Sequence, residues 1–141
     1  MALSLHTLVD KLSGTAQKST KDHHVVVLGA SPKPFRYSNR AVKTFKQQGY
    51  PVTPVHPVAQ RVARLPVVNS LEDIAKPVQT LTLYVGTQRL PSLIDSIMGL
   101  SPERVIFNPG TESPVLEQHL EAAGIPWFRA CTLVLLSTRT F

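Results

Sequence analysis

The segment Val25-Val26-Val27-Leu28-Gly29-Ala30-Ser31 constrains this chain's fold more than any other stretch. Four apolar residues, three of them β-branched, run into a glycine. A polar, basic loop follows through Pro32-Lys33-Pro34-Phe35-Arg36, and a helical pattern then begins near Ser38. A strand that is apolar without alternation expects burial on both faces, as in a parallel sheet. A helix that starts just beyond such a strand offers unpaired N–H groups and the positive end of its dipole. An anion fits there without a dedicated cage of lysines, so the unit predicts a ligand of nucleotide type.

The same order recurs along the chain. The first strand is read as His24 to Leu28. Ser38 is placed as the N-cap of a helix carrying Ala41, Val42 and Phe45, with Gly49 as its stop. Val52 to Val55 makes a second strand, shortened and only partly paired because of Pro54. Pro57 to Leu65 reads as irregular or weakly helical, and Val67-Val68 as an edge strand. Ser70 with Asp73 resembles a capping box that opens a short helix through Ile74 and Ala75. Thr80 to Val85 is a strand, and Leu90, Leu93, Ile94, Ile97 and Met98 form a helical stripe ending near Gly99. Val105 to Phe107 is the next strand. Ser113-Pro114 starts a helix through Ala123, which ends at Gly124. Pro126 to Phe128 follows, and Cys131 to Leu136 reads as a final strand or a packed C-terminal arm. Five β-α units imply an α/β, Rossmann-like open parallel sheet of about five strands with helices on both faces. Ahead of it, residues 1–22 read as a short amphipathic helix (Ser4 to Leu12) and a linker, leaving 23–141 as the core domain.

At 141 residues the chain suits one domain with a real core. Its 43% hydrophobic and 17% charged content is that of a globular protein. No apolar run approaches the roughly 20 residues of a membrane span. The N-terminus lacks a basic region and an uninterrupted apolar stretch, so no signal peptide is expected. With one cysteine, Cys131, no internal disulfide can form. These features favour a cytoplasmic protein. The net charge of +6 is spread along the chain rather than stacked in one run. It fits an anionic ligand better than nucleic acid, which is not expected as a partner.

In an open parallel sheet the ligand lies outside the carboxyl ends of the strands. The candidate residues are therefore Gly29, Ala30 and Ser31, then His56-Pro57, Gly86-Thr87 and Asn108-Pro109-Gly110. The basic loop adds Arg36 and Arg40, and the helix start adds Ser38 and Asn39. A dinucleotide fingerprint needs three glycines and a carboxylate at the end of the second strand. Here Ser31 and Pro34 occupy the later glycine positions, and the strand end reads Val55-His56-Pro57. NAD is disfavoured, and the P-loop pattern is absent. The residues alone imply a polyanionic nucleotide.

Gly29-Ala30-Ser31, the loop ending Arg36-Tyr37-Ser38-Asn39-Arg40, the Gly49-Tyr50 turn and Val55-His56-Pro57 together resemble the small stand-alone CoA-binding proteins. So do Ser70-Leu71-Glu72-Asp73-Ile74, Asn108-Pro109-Gly110 and Cys131. These are Rossmann-like domains similar to the CoA-binding domain of the succinyl-CoA synthetase α subunit. The resemblance covers about His23 to Phe141, and one departure is His56, where many relatives carry asparagine. It implies coenzyme A as ligand, free, acylated or as a disulfide. The chemistry agrees, because a pyrophosphate plus a 3′-phosphate calls for cations such as Arg36 and Arg40.

No catalytic constellation is visible. No serine stands in a G-x-S-x-G frame, and Glu112, near the fourth site loop, is a single carboxylate. His6, His23-His24 and His119 lack partners at ligand spacing, so no metal is expected. Cys131 reads as a small packed residue, with a place near the CoA thiol as the sharper alternative. Two other readings stay open: an NADP- or other nucleotide-dependent enzyme, and an interaction protein with a vestigial site.

Overall fold

The computed structural model describes residues 19–141. The expected Ser4–Leu12 helix lies outside them. The central sheet contains β1 (Val25–Leu28), β2 (Val52–Val55), β5 (Thr80–Leu83), β6 (Arg104–Phe107) and β7 (Trp127–Arg129). Every pairing is parallel, and the order is β2-β1-β5-β6-β7. Chain order and spatial order diverge at β1, whose neighbours β2 and β5 are reached in opposite directions. That switch point opens a crevice at the carboxyl ends of β1 and β5.

Each strand serves two cores, which is why these strands read as apolar runs. Val25 and Val27 face one layer, with Ala41, Val42 and Phe45 of α1 (Tyr37–Gln47) and Leu136 of α4 (Thr132–Ser137). Val26 and Leu28 face the other, with Ile94, Ile97 and Leu100 of α2 (Ile94–Leu100) and Leu116 and Leu120 of α3 (Pro114–Ala122). All four side chains of β1 are buried. The expected five-stranded, Rossmann-like α/β sheet with helices on both faces is the fold observed.

Several local expectations are corrected. Cys131 to Leu136 is neither strand nor arm: Cys131 is the N-cap of α4, and Thr132 and Leu136 bury the same helical face four residues apart. Pro57 to Leu65 is not helical. It contains a hairpin of β3 (Arg61–Val62) and β4 (Leu65–Pro66). Val67-Val68 does not form a strand, but Val68 makes a single parallel bridge to Val55. The Leu90–Met98 stripe divides into a 3-10 turn (Leu90–Leu93), with Pro91 in its first positions, and α2. The Ser70 turn is also 3-10, spans Leu71–Asp73 and stops before Ile74. Among the described residues, no helix is long and apolar enough to cross a membrane.

Candidate functional site

The crevice at the switch point is a cleft of about 580 Å3. It is built on the β1–α1 loop, which the chain secures from inside. Gly29 and Ala30 both donate N–H bonds to the Val55 carbonyl, at 3.0 Å each, tying the exit of β1 to β2. Gly29 has φ +90°, and a Cβ there would lie 2.7 Å from the Tyr84 carbonyl oxygen. Its glycine is therefore required by the backbone after β5, not only by a ligand.

Ser38 and Asn39 brace the same loop. Ser31 N–H donates to Ser38 Oγ at 3.0 Å, and Asn39 Nδ2 donates to the Ser31 carbonyl at 2.9 Å. Ser38 is therefore not the N-cap. That position belongs to Arg36, with extended backbone and no side-chain capping bond. The serine sits one turn position deeper because its hydroxyl is spent on the loop. The first turn of α1 keeps its N–H groups for an acceptor from outside the helix. Asn39 is buried, and its Oδ1 has no hydrogen-bond partner among the described residues.

Gly29, Ser31, Arg36, Ser38, His56, Pro57, Gly86 and Pro109 all line the cleft. Six other candidates do not, Thr87 and Asn108 among them. Ala30 and Asn39 are buried behind the loop. Arg40 turns outward, its guanidinium 5.5 Å from the Tyr37 ring centroid, and Gly110 is exposed beyond Pro109. Sequence reasoning missed Tyr84, Val85 and Arg89 as lining residues, along with Pro32, Lys33 and Tyr37 of the loop. Arg89 lies only three positions past Gly86, so a wider window after β5 would have included it.

The electrostatics are one-sided. Lys33, Arg36 and Arg89 line the cleft, and among the described residues no aspartate or glutamate does. The ion pair among the described residues lies elsewhere, a two-bond contact between Arg129 and buried Glu117 at 2.8 and 2.9 Å. Burial pushes the Tyr84 phenol above its ordinary pKa, so it stays neutral. Its hydroxyl has no hydrogen-bond partner among the described residues; neighbouring Thr132 Oγ1 is engaged by Thr82 Oγ1 at 2.7 Å.

His56 closes the turn after β2. Its Nδ1 accepts from Val58 N–H at 3.1 Å and Ala59 N–H at 2.9 Å. An asparagine oxygen would accept the same pair in an Asx turn. The ring therefore carries its proton on Nε2. Asn69 Nδ2 clamps the turn by donating to the carbonyls of His56 (2.8 Å) and Ala59 (3.1 Å).

On the β6 side, Asn108 is buried and structural. Its Nδ2 donates to Thr82 Oγ1 (2.7 Å) and the Leu83 carbonyl (2.9 Å), and its Oδ1 accepts from Thr132 N–H (2.8 Å). Glu112 folds back on Gly110 N–H at 3.1 Å rather than lining the cleft. Cys131 is partly buried and does not line it either. Among the described residues no group of three His, Cys, Asp or Glu side chains could hold a metal.

The family model described as CoA binding domain matches residues 23–137. A Bacillus subtilis (strain 168) protein, YneT, itself described as uncharacterized, is 24% identical over 78 residues. That match covers 55% of this chain and 58% of the relative, less than two thirds of its length. A crystal structure of an uncharacterized protein superposes with TM-score 0.80 at 38% identity, covering 84% of this chain and 98% of the other. A Thermus thermophilus structure gives TM-score 0.79 at 28% identity, covering 94% and 98%. A dinucleotide-forming acetyl-coenzyme A synthetase from Ca. Korarchaeum cryptofilum shares the fold, with TM-score 0.65 at 17% identity over 80% of this chain and 26% of that one. The family match runs from the edge of β1 to the last residue of α4, and with it the chain belongs to the CoA binding domain family.

Proposed function

We propose that the protein binds coenzyme A, or a CoA thioester or disulfide, in the cleft at the switch point, as a binding protein rather than a catalyst. The observation that carries this reading is the charge of the cleft: among the described residues, three cationic side chains and no carboxylate line it. CoA is a polyanion, and its pyrophosphate is the group that an uncapped helix start beside a tight loop accommodates. In this reading Gly29, Ser31 and Ser38, with the first-turn N–H groups of α1, hold the pyrophosphate. Lys33, Arg36 and Arg89 neutralise it and the 3′-phosphate, arginine with paired N–H donors. His56-Pro57, Gly86 and Pro109 form the rim along which the rest of the ligand lies. Ala30 and Asn39 support the loop from behind, and Arg40 and Gly110 flank the site.

Binding without catalysis is supported by the partners of the cleft's hydroxyls. Ser31 Oγ and Ser38 Oγ accept backbone N–H groups at 3.1 and 3.0 Å, so neither is held by a histidine or carboxylate that would activate it. A site for NAD is opposed by His56 at the place where a ribose-binding carboxylate belongs. The test is native mass spectrometry of the protein purified without added ligand and then with added CoA. The expected spectrum shows a one-to-one CoA species, whose mass and response to dithiothreitol separate free CoA, thioester and mixed disulfide. A spectrum holding a nicotinamide dinucleotide instead, or no adduct at saturating CoA, overturns the reading.

A further inference from the structure

Charge is divided unevenly along the chain. From His23 to Leu71 there is no aspartate or glutamate. That segment holds seven lysines and arginines, and all seven are exposed. From residue 72 onward, seven carboxylates accompany five lysines and arginines.

The fold gathers the acid-free segment on one side of the sheet. Arg36, Arg40 and Lys43, four and three residues apart, run down the face of α1 that lies away from its buried Ala41, Val42 and Phe45. Lys33 precedes them in the loop, and Lys46 follows in the last turn. The β3–β4 hairpin packs Val62 and Leu65 into the same core layer as α1, so Arg61 and Arg64 belong to that side too.

Three apolar side chains project beside these cations. Phe35, Tyr37 and Val58 are 72%, 67% and 80% exposed. Tyr37 and Pro57, the neighbour of Val58, line the cleft, so the three tips stand at its mouth. The two aromatic rings carry cations with them. The Arg36 guanidinium lies 5.7 Å from the Phe35 ring centroid, and that of Arg40 lies 5.5 Å from the Tyr37 centroid.

The cations alone would suit any polyanion, and the apolar tips choose among them. A phosphate backbone would take the charges and leave Val58 in water. A rigid protein surface would need a separate pocket for each tip, since the tips project from two loops. A second copy is repelled, because each chain carries +6 and two such faces would meet cation to cation. A bilayer interface is anionic at its headgroups, apolar just beneath them, and fluid enough to admit tips at any spacing.

We propose that this face docks on an anionic lipid surface, with Phe35, Tyr37 and Val58 below the headgroups and the cations of α1 and the hairpin among them. The inference stands apart from the identity of the cleft's ligand. Arg36 and Tyr37 also line the cleft, so the test changes residues outside it.

The test is cosedimentation of the full chain with vesicles of phosphatidylcholine, alone or with about one third phosphatidylserine. Phosphatidylserine should raise binding more than about tenfold at about 0.1 M salt, and about 1 M salt should remove the gain. Lys43→Glu with Arg64→Glu should lower binding to the mixed vesicles at least about tenfold. Phe35→Ser with Val58→Ser should lower it about fivefold and leave its salt dependence intact. All four positions are exposed, so both variants should melt as the wild type does. Equal binding to the two kinds of vesicle, binding to neither, or wild-type binding by either folded variant would overturn the proposal. Binding of poly-uridine RNA that both variants weaken, with no binding to vesicles, would assign the face to nucleic acid instead.

Discussion

The two ends of the central sheet are built from similar residues and used in opposite ways. At the amino ends of the strands, aromatic rings and polar side chains close on one another. Phe141 packs edge-on against Phe45, Tyr50 and His23, with ring centroids 4.9, 5.3 and 5.5 Å away. Arg104 lies 4.5 Å from the Phe141 ring centroid and donates from Nε to Thr80 Oγ1 at 2.7 Å. At the carboxyl ends, Phe35 and Tyr37 are 72% and 67% exposed, and no carboxylate among the described residues shares the cleft lining with the cations beside them. Arg104 is held inside the fold by its stacked face and its Nε, although its buried Nη2 has no partner among the described residues. Arg36 and Arg89 are exposed on the cleft lining, where a ligand could meet their donors.

The largest effect that would test this contrast is at Gly29, where the two roles meet. Gly29→Val places a side chain against the Tyr84 carbonyl at positive φ, so the expected loss is about 3 kcal/mol of folding stability in denaturant titrations. Retained stability with lost CoA binding would make the glycine a ligand contact alone. Next is the closed end. Phe141→Ala should cost about 2 kcal/mol, since the ring is only partly buried, and leave CoA affinity unchanged. A fall in affinity would show that the two ends are coupled.

The open end should behave in reverse. Arg36→Ala or Arg89→Ala should weaken CoA about tenfold in calorimetry and flatten its dependence on salt, with the melting temperature of the free protein unchanged. Arg40→Ala, outside the cleft, should do neither. The smallest effect concerns the turn at the rim. His56→Ala removes the acceptor for two N–H groups and should cost about 1 kcal/mol, whereas His56→Asn should be nearly neutral. Equal losses in the two variants would mean that the ring, not its Nδ1, holds the turn.

The strand-glycine-loop-helix unit was legible because burial on both faces leaves an unbroken apolar run, and a parallel strand must end in a crossover. The cleft's position followed from the same topology. Other parts were hidden for physical reasons. The β3–β4 hairpin turns at Ala63 and Arg64, both at positive φ, where glycine or asparagine would have announced the turn. Cys131 to Leu136 is a short apolar run, which periodicity alone cannot assign to strand or helix. Ser38 reads as a cap by residue type, and only the return of Ser31 N–H to its hydroxyl shows that it braces the loop. Glu72 stands in an unremarkable polar turn, and the bond that its carboxylate accepts from Ser96 on α2 has no local signal in the sequence.

The central proposal is that Lys33, Arg36 and Arg89 with the uncapped start of α1 form a site for coenzyme A. Its most direct test is the melting temperature of the protein in the presence of equal concentrations of CoA, NADP and NAD. Selective binding to the folded state raises that temperature by mass action. The account predicts a clear rise with CoA that exceeds the rise with either dinucleotide and is reduced in Arg36→Ala. A rise with NADP or NAD and none with CoA would contradict it.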